Sequence, residues 1–380
     1  MPDVASSTSS LVDRPALTPM DVSSRADRLQ AALAGAEVDA LLVTSLTNIR
    51  YLTGFTGSAA LLLVASTGLT FITDGRYGEQ AGAQLSASGV SAKIEVSGFA
   101  QQKLMTTAVS RADVQRLGLE ADAVTWSAQR SYDQEWFPAL DLVPTRGLIG
   151  GLRLHKDDGE VDRIAAACSI ADAALATVRH RLAEQPTEVE FGLELDAAMR
   201  QLGADDVSFE TIVASGPNGA RPHHRPGPRT IAEGDLVVID FGALVDGYHS
   251  DMTRTVMVGK PSATQARMYE VVTEAQAAGV AAVADGVAAK EVDAACRKVI
   301  ADAGWLDAFL HGTGHGVGLD IHEDPRVGQS STATLSTRCV VTVEPGVYLP
   351  EHGGVRIEDT VVVTPGGCRP VTLSHKSPAV

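Results

Sequence analysis

Apolar residues recur along this chain with two periods, and each period predicts a kind of element. Residues 24–35 place Leu29, Ala32 and Leu33 on one side of a helical turn and charges on the other, which predicts an amphipathic helix. An apolar run at 40–44 predicts a strand, and runs at 59–65 and 69–73 predict two more, separated by a Ser-Thr-Gly turn. Helical spacing returns at 77–86 and 125–135, so the region up to residue 150 reads as mixed α/β with three or four short strands. Residues 144–151 hold one proline and three glycines, and they mark the expected boundary between a domain at 24–150 and a second at 156–378.

The second region opens on the longest helical pattern. Between 157 and 182, Ile164, Cys168, Ile170 or Ala171, and Leu175 line one stripe. Another helix is predicted at 189–202, and strand period comes next at 207–214. Helices at 262–284 and 292–303 precede a segment rich in Gly and His, and two strand pairs are predicted at 236–257 and 340–364. Helices followed by hairpins fit an α+β domain better than a doubly wound parallel sheet. No internal repeat is visible in the residues.

Length and charge narrow the function. At 380 residues the chain exceeds the size at which one core usually keeps growing, so two domains are expected, and 44% hydrophobic residues can fill them. A net charge of -16 without any basic block repels nucleic-acid phosphates and anionic membranes, so neither is an expected partner. Cys168, Cys296, Cys339 and Cys368 form no CxxC pair, which argues against a thiolate zinc site or a disulfide framework and for buried thiols in a reducing compartment. The first 24 residues are rich in Ser, Thr, Pro and Asp and lack an apolar middle, so a loose tail is expected over 1–23 rather than a signal peptide. Apolar runs such as 59–65 fall far short of the roughly 20 residues that cross a bilayer, and a cytoplasmic protein is expected. Gly54, Gly57, Gly312, Gly314, Gly316 and Gly318 stand in no nucleotide-binding arrangement.

The chemistry concentrates on two hairpins. Residues 236–240 spell Leu-Val-Val-Ile-Asp, a strand ending on Asp240, and across an Asp246-Gly247 turn signal a second strand carries Asp251. Asp240 and Asp251 are expected almost opposite each other, with a bulge absorbing the imperfect register. Glu344 ends the run Val-Thr-Val-Glu, and Glu358 returns beyond a turn at 350–352, so these two are expected to face each other as well. Any one of these could be a solvent-facing residue of an edge strand. Four on otherwise apolar hairpins are harder to dismiss, because buried carboxylates raise one another's pKa unless something positive sits between them. Two divalent ions would supply that charge. His311, His315 and His322 lie in a glycine-rich stretch that permits close approach, and mixed oxygen and nitrogen donors favour Mn²⁺ or Co²⁺, with Zn²⁺ and Fe²⁺ as alternatives.

Read together, Asn48 to Ser58, Thr73 to Tyr77, Pro222-His223-His224, Asp240-Phe-Gly, Ser250 to Arg254, His311 to Glu323, Glu344-Pro-Gly and Arg356 to Asp359 resemble the creatinase/aminopeptidase, or pita-bread, metallopeptidases. The resemblance is to the proline-specific branch, aminopeptidase P and Xaa-Pro dipeptidase, and it extends over almost the whole chain after residue 24. It implies a C-terminal pita-bread domain with a smaller α/β domain before it. It implies two metal ions, Mn²⁺ foremost, with Asp240 on one, Asp251 and Glu358 bridging, and His315 and Glu344 on the other. It gives His223, His311 and His322 to the substrate pocket, with His223 and His322 assisting catalysis, Glu344 as proton shuttle and Arg356 supporting a ligand carboxylate. His224 and His249 receive no role. The substrates implied are short peptides with proline at the second position, and the assembly implied is a homodimer whose N-terminal domains help define the opening of the site. Arg326 and Arg338 lie where dipeptidases of the eukaryotic prolidase type carry a carboxylate-binding arginine, but neither matches that position well. A methionine aminopeptidase-like activity and a non-catalytic peptide-binding module on the same fold are the competing readings. The long N-terminal region and the histidine pattern argue against the first, and the intact ligand set against the second.

Overall fold

The computed structural model describes residues 16–380. Contacts divide the described residues into one unit at Met20–Arg153 and another at Leu154–Val380, to which residues 16–19 also belong. The loose tail expected to residue 23 lies mostly outside the described residues. From residue 16 it is not loose: the Thr18 carbonyl accepts from Arg163 Nη1 at 2.9 Å, its hydroxyl donates to Asp162, and Val22 is buried.

The first unit is built on a six-stranded sheet. In spatial order its strands are Ala92–Val96, Gly68–Thr73, Ala60–Ala65, Ala40–Val43, Arg116–Glu120 and Asp141–Thr145. Ala60–Ala65 runs antiparallel to both of its neighbours, and the other pairings are parallel. Leu42, Leu63, Ile72, Met105, Leu117 and Leu119 form the core beneath it. The run beginning at Asn48 is a helix, Leu46–Thr53, capped by the Ser45 side chain and ended by Gly54 at φ 74°. The segment 144–151, where a domain boundary is expected, is largely regular structure just before the division at Arg153. Pro144 lies in an edge strand, where its missing N–H harms no ladder, and Leu148–Arg153 forms a helix.

The second unit runs twice through one order of elements. Helices Asp158–Val178 and Glu188–Gln201 lead to strand Ile212–Ser215 and the hairpin Leu236–Phe241 with Met252–Met257. Helices Ala263–Ala282 and Ala289–Asp302 lead to strand Gly314–Gly316 and the pairing of Val340–Val343 with Asp359–Thr364. Asp157, Thr187 and Ser262 each start a helix with a reciprocal capping box, which satisfies donors that the first turn would otherwise leave bare. The predicted strand at 207–214 is split: Asp206–Val207 and Ile212–Ser215 belong to different sheets.

Strand periodicity decides which side chains meet. Val237, Ile239 and Phe241 pack with Phe191 and Leu195 in one apolar cluster, while Asp240 alternates to the opposite face. Likewise Val341, Val343, Val361 and Val363 pack with Val292 and Cys296, leaving Thr342, Glu344 and Glu358 on the other face.

Candidate metal centre

Both acidic hairpins place their carboxylates at or beside breaks in the ladder. In the first, Asp246 (φ 46°) and Gly247 (φ 77°) make the two-residue turn that right-twisted strands prefer. The partner of Asp240 is Thr253, not Asp251, and this corrects the expected opposition. Asp251 is two residues back on the same face, in the gap between Tyr248–His249 and Met252–Met257. That gap exists because Gly242 lets Ser250 close in: a Cβ at 242 would stand 2.0 Å from the Ser250 carbonyl oxygen. In the second hairpin Gly346 pairs with Arg356 and Val343 with Asp359, so one register continues across the break. Glu344 and Glu358 face each other inside it, as expected. Their own amides are satisfied from elsewhere, by Thr313 O at 2.7 Å and Thr253 O at 3.1 Å.

The result is a convergence of the carboxylates. Asp240, Asp251 and Glu358 each offer an oxygen within 4.8 Å of the others. Asp240 Oδ1 and Glu358 Oε1 are buried and have no hydrogen-bond partner. Their other oxygens accept from Arg356 Nη2 at 2.7 Å and Thr253 Oγ1 at 2.7 Å. His315 Nδ1 lies 3.0 Å from the Gly316 carbonyl, to which it donates, so Nε2 presents its lone pair 3.5 Å from Asp251 Oδ2 and 3.4 Å from Glu344 Oε1. A lone pair facing two carboxylates, together with two orphaned buried oxygens, is a donor set that fits divalent cations.

The charges respond accordingly. Burial, opposed by Arg356 and reinforced by the charge of Asp240, pushes Glu344 up to about 8. Burial and the neighbouring carboxylates hold Asp251 and Glu358 well above the usual range. Burial lowers His315 to about 4, so its imidazole is neutral and available as a ligand.

Beside the carboxylates lies a cavity of about 410 Å³, into which His223, His311, His322 and Arg326 project from the polar side and Phe209 and Ile212 from the apolar side. The His322 ring centroid is 4.4 Å from that of His315. His311 Nδ1 donates to Gly312 O at 2.8 Å, so Nε2 accepts from the Tyr348 hydroxyl at 2.8 Å, which in turn accepts from Arg356 Nη1 at 2.8 Å. Asp240, Arg356, Tyr348 and His311 therefore form one chain of hydrogen bonds.

One member of this chain is not legible in the sequence. Tyr348 gave no signal there beyond an apolar position on a strand. Arg326 now separates from Arg338: Arg326 lines the cavity, whereas Arg338 pairs with the exposed Asp158 at 2.9 Å. His224 and His249 stay outside the cavity, bonded to Glu188 and Ser208.

Comparison with known proteins gives the same division. Residues 162–365 match the description of metallopeptidase family M24, and residues 25–155 match the creatinase/prolidase N-terminal domain. The chain is 43% identical over 339 residues to the uncharacterized peptidase YqhT of Bacillus subtilis, covering 89% of this chain and 95% of that one. It superposes on an Xaa-Pro dipeptidase from Bacillus anthracis with a TM-score of 0.89 and 38% identity, over 94% of this chain and 99% of the other. An X-Pro aminopeptidase from Thermotoga maritima gives 0.84 and 32%, over 94% and 100%.

Proposed function

The chain belongs to metallopeptidase family M24, and from that premise we propose that it is a metal-dependent peptidase that hydrolyses the bond before proline. The observation that carries the reading is the neutral Nε2 of His315, which faces two carboxylates at the edge of a cavity bearing further imidazoles.

In this reading Asp240 would hold one divalent ion, His315 and Glu344 would hold the other, and Asp251 and Glu358 would serve both, with Mn²⁺ as the expected metal and Co²⁺, Zn²⁺ and Fe²⁺ as alternatives. Such ions, when bound, would supply the positive charge that activates a water and polarises the carbonyl before proline. Glu344 takes a proton from the attacking water and delivers it to the leaving proline nitrogen, a role open to a carboxylate set at the edge of the cavity, 3.4 Å from His315 Nε2. His322 and His223 donate to the developing oxyanion from the cavity wall. Arg356 keeps Asp240 oriented through its 2.7 Å bond, and Tyr348 keeps Arg356 and His311 in place. The proline nitrogen carries no hydrogen in the substrate, so recognition there rests on the shape of the ring.

Arg326 extends the reading to substrate length. Arg326 lines the cavity, where its guanidinium would anchor the carboxylate of a short peptide. We further propose a homodimer, supported by the family resemblance, and a cytoplasmic setting, supported by four cysteines that form no disulfide. Among the described residues no helix is long and apolar enough to cross a membrane.

The test is reconstitution. Metal-free protein loaded separately with Mn²⁺, Co²⁺ and Zn²⁺ is assayed on Ala-Pro, Met-Pro and Arg-Pro-Pro. Turnover of at least one Xaa-Pro peptide by the loaded form alone is expected, and metal binding without turnover of any would turn the reading toward a peptide-binding module. Arg326→Met should lower dipeptide turnover more than tripeptide turnover, and light scattering checks the dimer.

A further inference from the structure

His223 reaches the cavity from a loop, and no hydrogen bond of its own fixes its ring among the described residues. Its position is set by what its neighbours hold. On one side, the Pro222 carbonyl accepts from Arg356 Nη1 at 3.3 Å, the same guanidinium that grips Asp240. On the other side, His224 Nε2 lies 2.9 Å from Oε2 of Glu188.

Glu188 is fully buried in the first turn of the helix Glu188–Gln201, where the helix dipole favours a carboxylate. Its oxygens receive donors from the whole loop. Oε1 accepts from Ser215 N at 2.8 Å, Ser215 Oγ at 2.7 Å and Asn218 Nδ2 at 2.9 Å. Oε2 accepts from Gly227 N at 3.0 Å as well as from His224. One carboxylate thus ties both ends of residues 215–227 and two points between them. Burial alone would push Glu188 up, but the bonds from Asn218, Ser215 and His224 outweigh it and hold the group below its ordinary value. Nothing in the catalytic reading uses this residue, and it does not line the cavity.

We propose that Glu188 is a positioning residue for the peptidase reaction: it locks the loop 215–227 so that His224 is drawn inward and His223, the residue before it, is presented to the substrate. The proposal rests on the reading of His223 as a group that meets the transition state. It predicts that loss of Glu188 acts through His223 and lowers kcat while KM and metal content stay close to normal.

The experiment is a double-mutant cycle on the Mn²⁺-loaded full chain with an Xaa-Pro dipeptide. Glu188→Gln keeps the size but turns one acceptor into a donor facing other donors, and kcat should fall about tenfold or more. In the His223→Ala background the same change should lower kcat by less than about twofold, because the residue it positions is already gone. Should Glu188→Gln fail to fold, His224→Ala and His224→Gln replace it in the cycle, since they remove and retain a single donor; the alanine variant should lose kcat and the glutamine variant should recover most of it. Multiplicative losses in the double variant would overturn the positioning role while leaving the reading of His223 intact. Normal kcat in His223→Ala would overturn both. Lost metal with unchanged kcat per bound metal would reduce Glu188 to a structural support and overturn the proposal.

Discussion

In the first half of the C-terminal unit Asp196 accepts from Thr211 Oγ1 at 2.6 Å, and in the second half Asp293 accepts from Thr313 Oγ1 at 2.9 Å. Each aspartate stands third in matching runs, Glu-Leu-Asp-Ala-Ala-Met-Arg from 194 and Glu-Val-Asp-Ala-Ala-Cys-Arg from 291. The residues after the threonine differ between the halves. Thr211 leads into Ile212, Val213 and Ala214, and Ile212 with Phe209 forms an apolar wall of the cavity. Thr313 leads into Gly314, His315 and Gly316, where a Cβ on the first glycine would stand 2.0 Å from Thr342 O and one on the second 2.2 Å from Asp324 O. The second strand therefore lies tighter against its neighbours and brings an imidazole to the carboxylates. The final arginine diverges too: Arg200 pairs outward with Asp206 at 2.5 Å, whereas Arg297 turns in to Asp293 at 2.6 Å and binds the His311 carbonyl. At this one strand the scaffold supplies an apolar wall in the first half and an imidazole in the second, through a handful of side chains.

The sharpest separation of the halves is between Glu344 and Asp240. Glu344→Gln should lower kcat by about a thousandfold even at saturating Mn²⁺, because proton transfer as well as ligation is lost. Asp240→Asn should act chiefly through the metal, and excess Mn²⁺ should recover part of kcat; measured metal content and kcat across metal concentration decide. Equal recovery of both variants would remove the shuttle from the second half. His322→Ala should lower kcat/KM by at least about tenfold with metal content unchanged, a loss of roughly 1.4 kcal/mol or more in transition-state stabilisation.

Smaller effects test the paired aspartates. Asp293→Asn leaves the Arg297 charge without its buried partner and should cost about 3 kcal/mol in denaturant unfolding. Asp196→Asn perturbs a single hydrogen bond and should cost about 1 kcal/mol. Equal costs would mean that the inward arginine does not distinguish the halves. The smallest effect is one of pH. Burial raises Asp251, Glu358 and Glu344 in the fold, so ion-free protein is favoured by the protons it holds and loses that stability as pH rises through about 8 for Glu344. Its thermal midpoint should fall by a few degrees between pH 6 and pH 9. Mn²⁺, which displaces those protons, should cancel the fall and bind more tightly at the higher pH.

Much of this was legible in residue order. Period-two apolar runs ending on acids located the four carboxylates on two hairpins, and glycines around His315 marked the close approach. The ladder partner of Asp240 is not legible there, because sequence spacing cannot show that the pairing is interrupted at Gly242 and Ser250. Strands Ala92–Val96 and Arg116–Glu120 went unread since each is short and carries charges among its apolar residues. The helix Leu148–Arg153 was hidden behind glycines that ordinarily signal a break. The repeat of the halves corrects the expectation that the residues hold none: its trace in the sequence is one short run, and the rest is carried by the order of elements. Glu188 and the buried pair of Lys156 with Glu323 at 3.0 Å belong to residue types that are usually exposed, and only packing reveals that they face inward.

Each carboxylate pair lies within a single hairpin, so closing either turn brings like charges together without any contribution from the other half. Folding at neutral pH therefore drives two anionic hairpins against their own repulsion, and a proton or a cation that neutralises either one assists its closure. Refolding of the ion-free chain should accordingly quicken on mild acidification or on addition of Mn²⁺ at the start, and respond much less to Mn²⁺ added after the hairpins have closed.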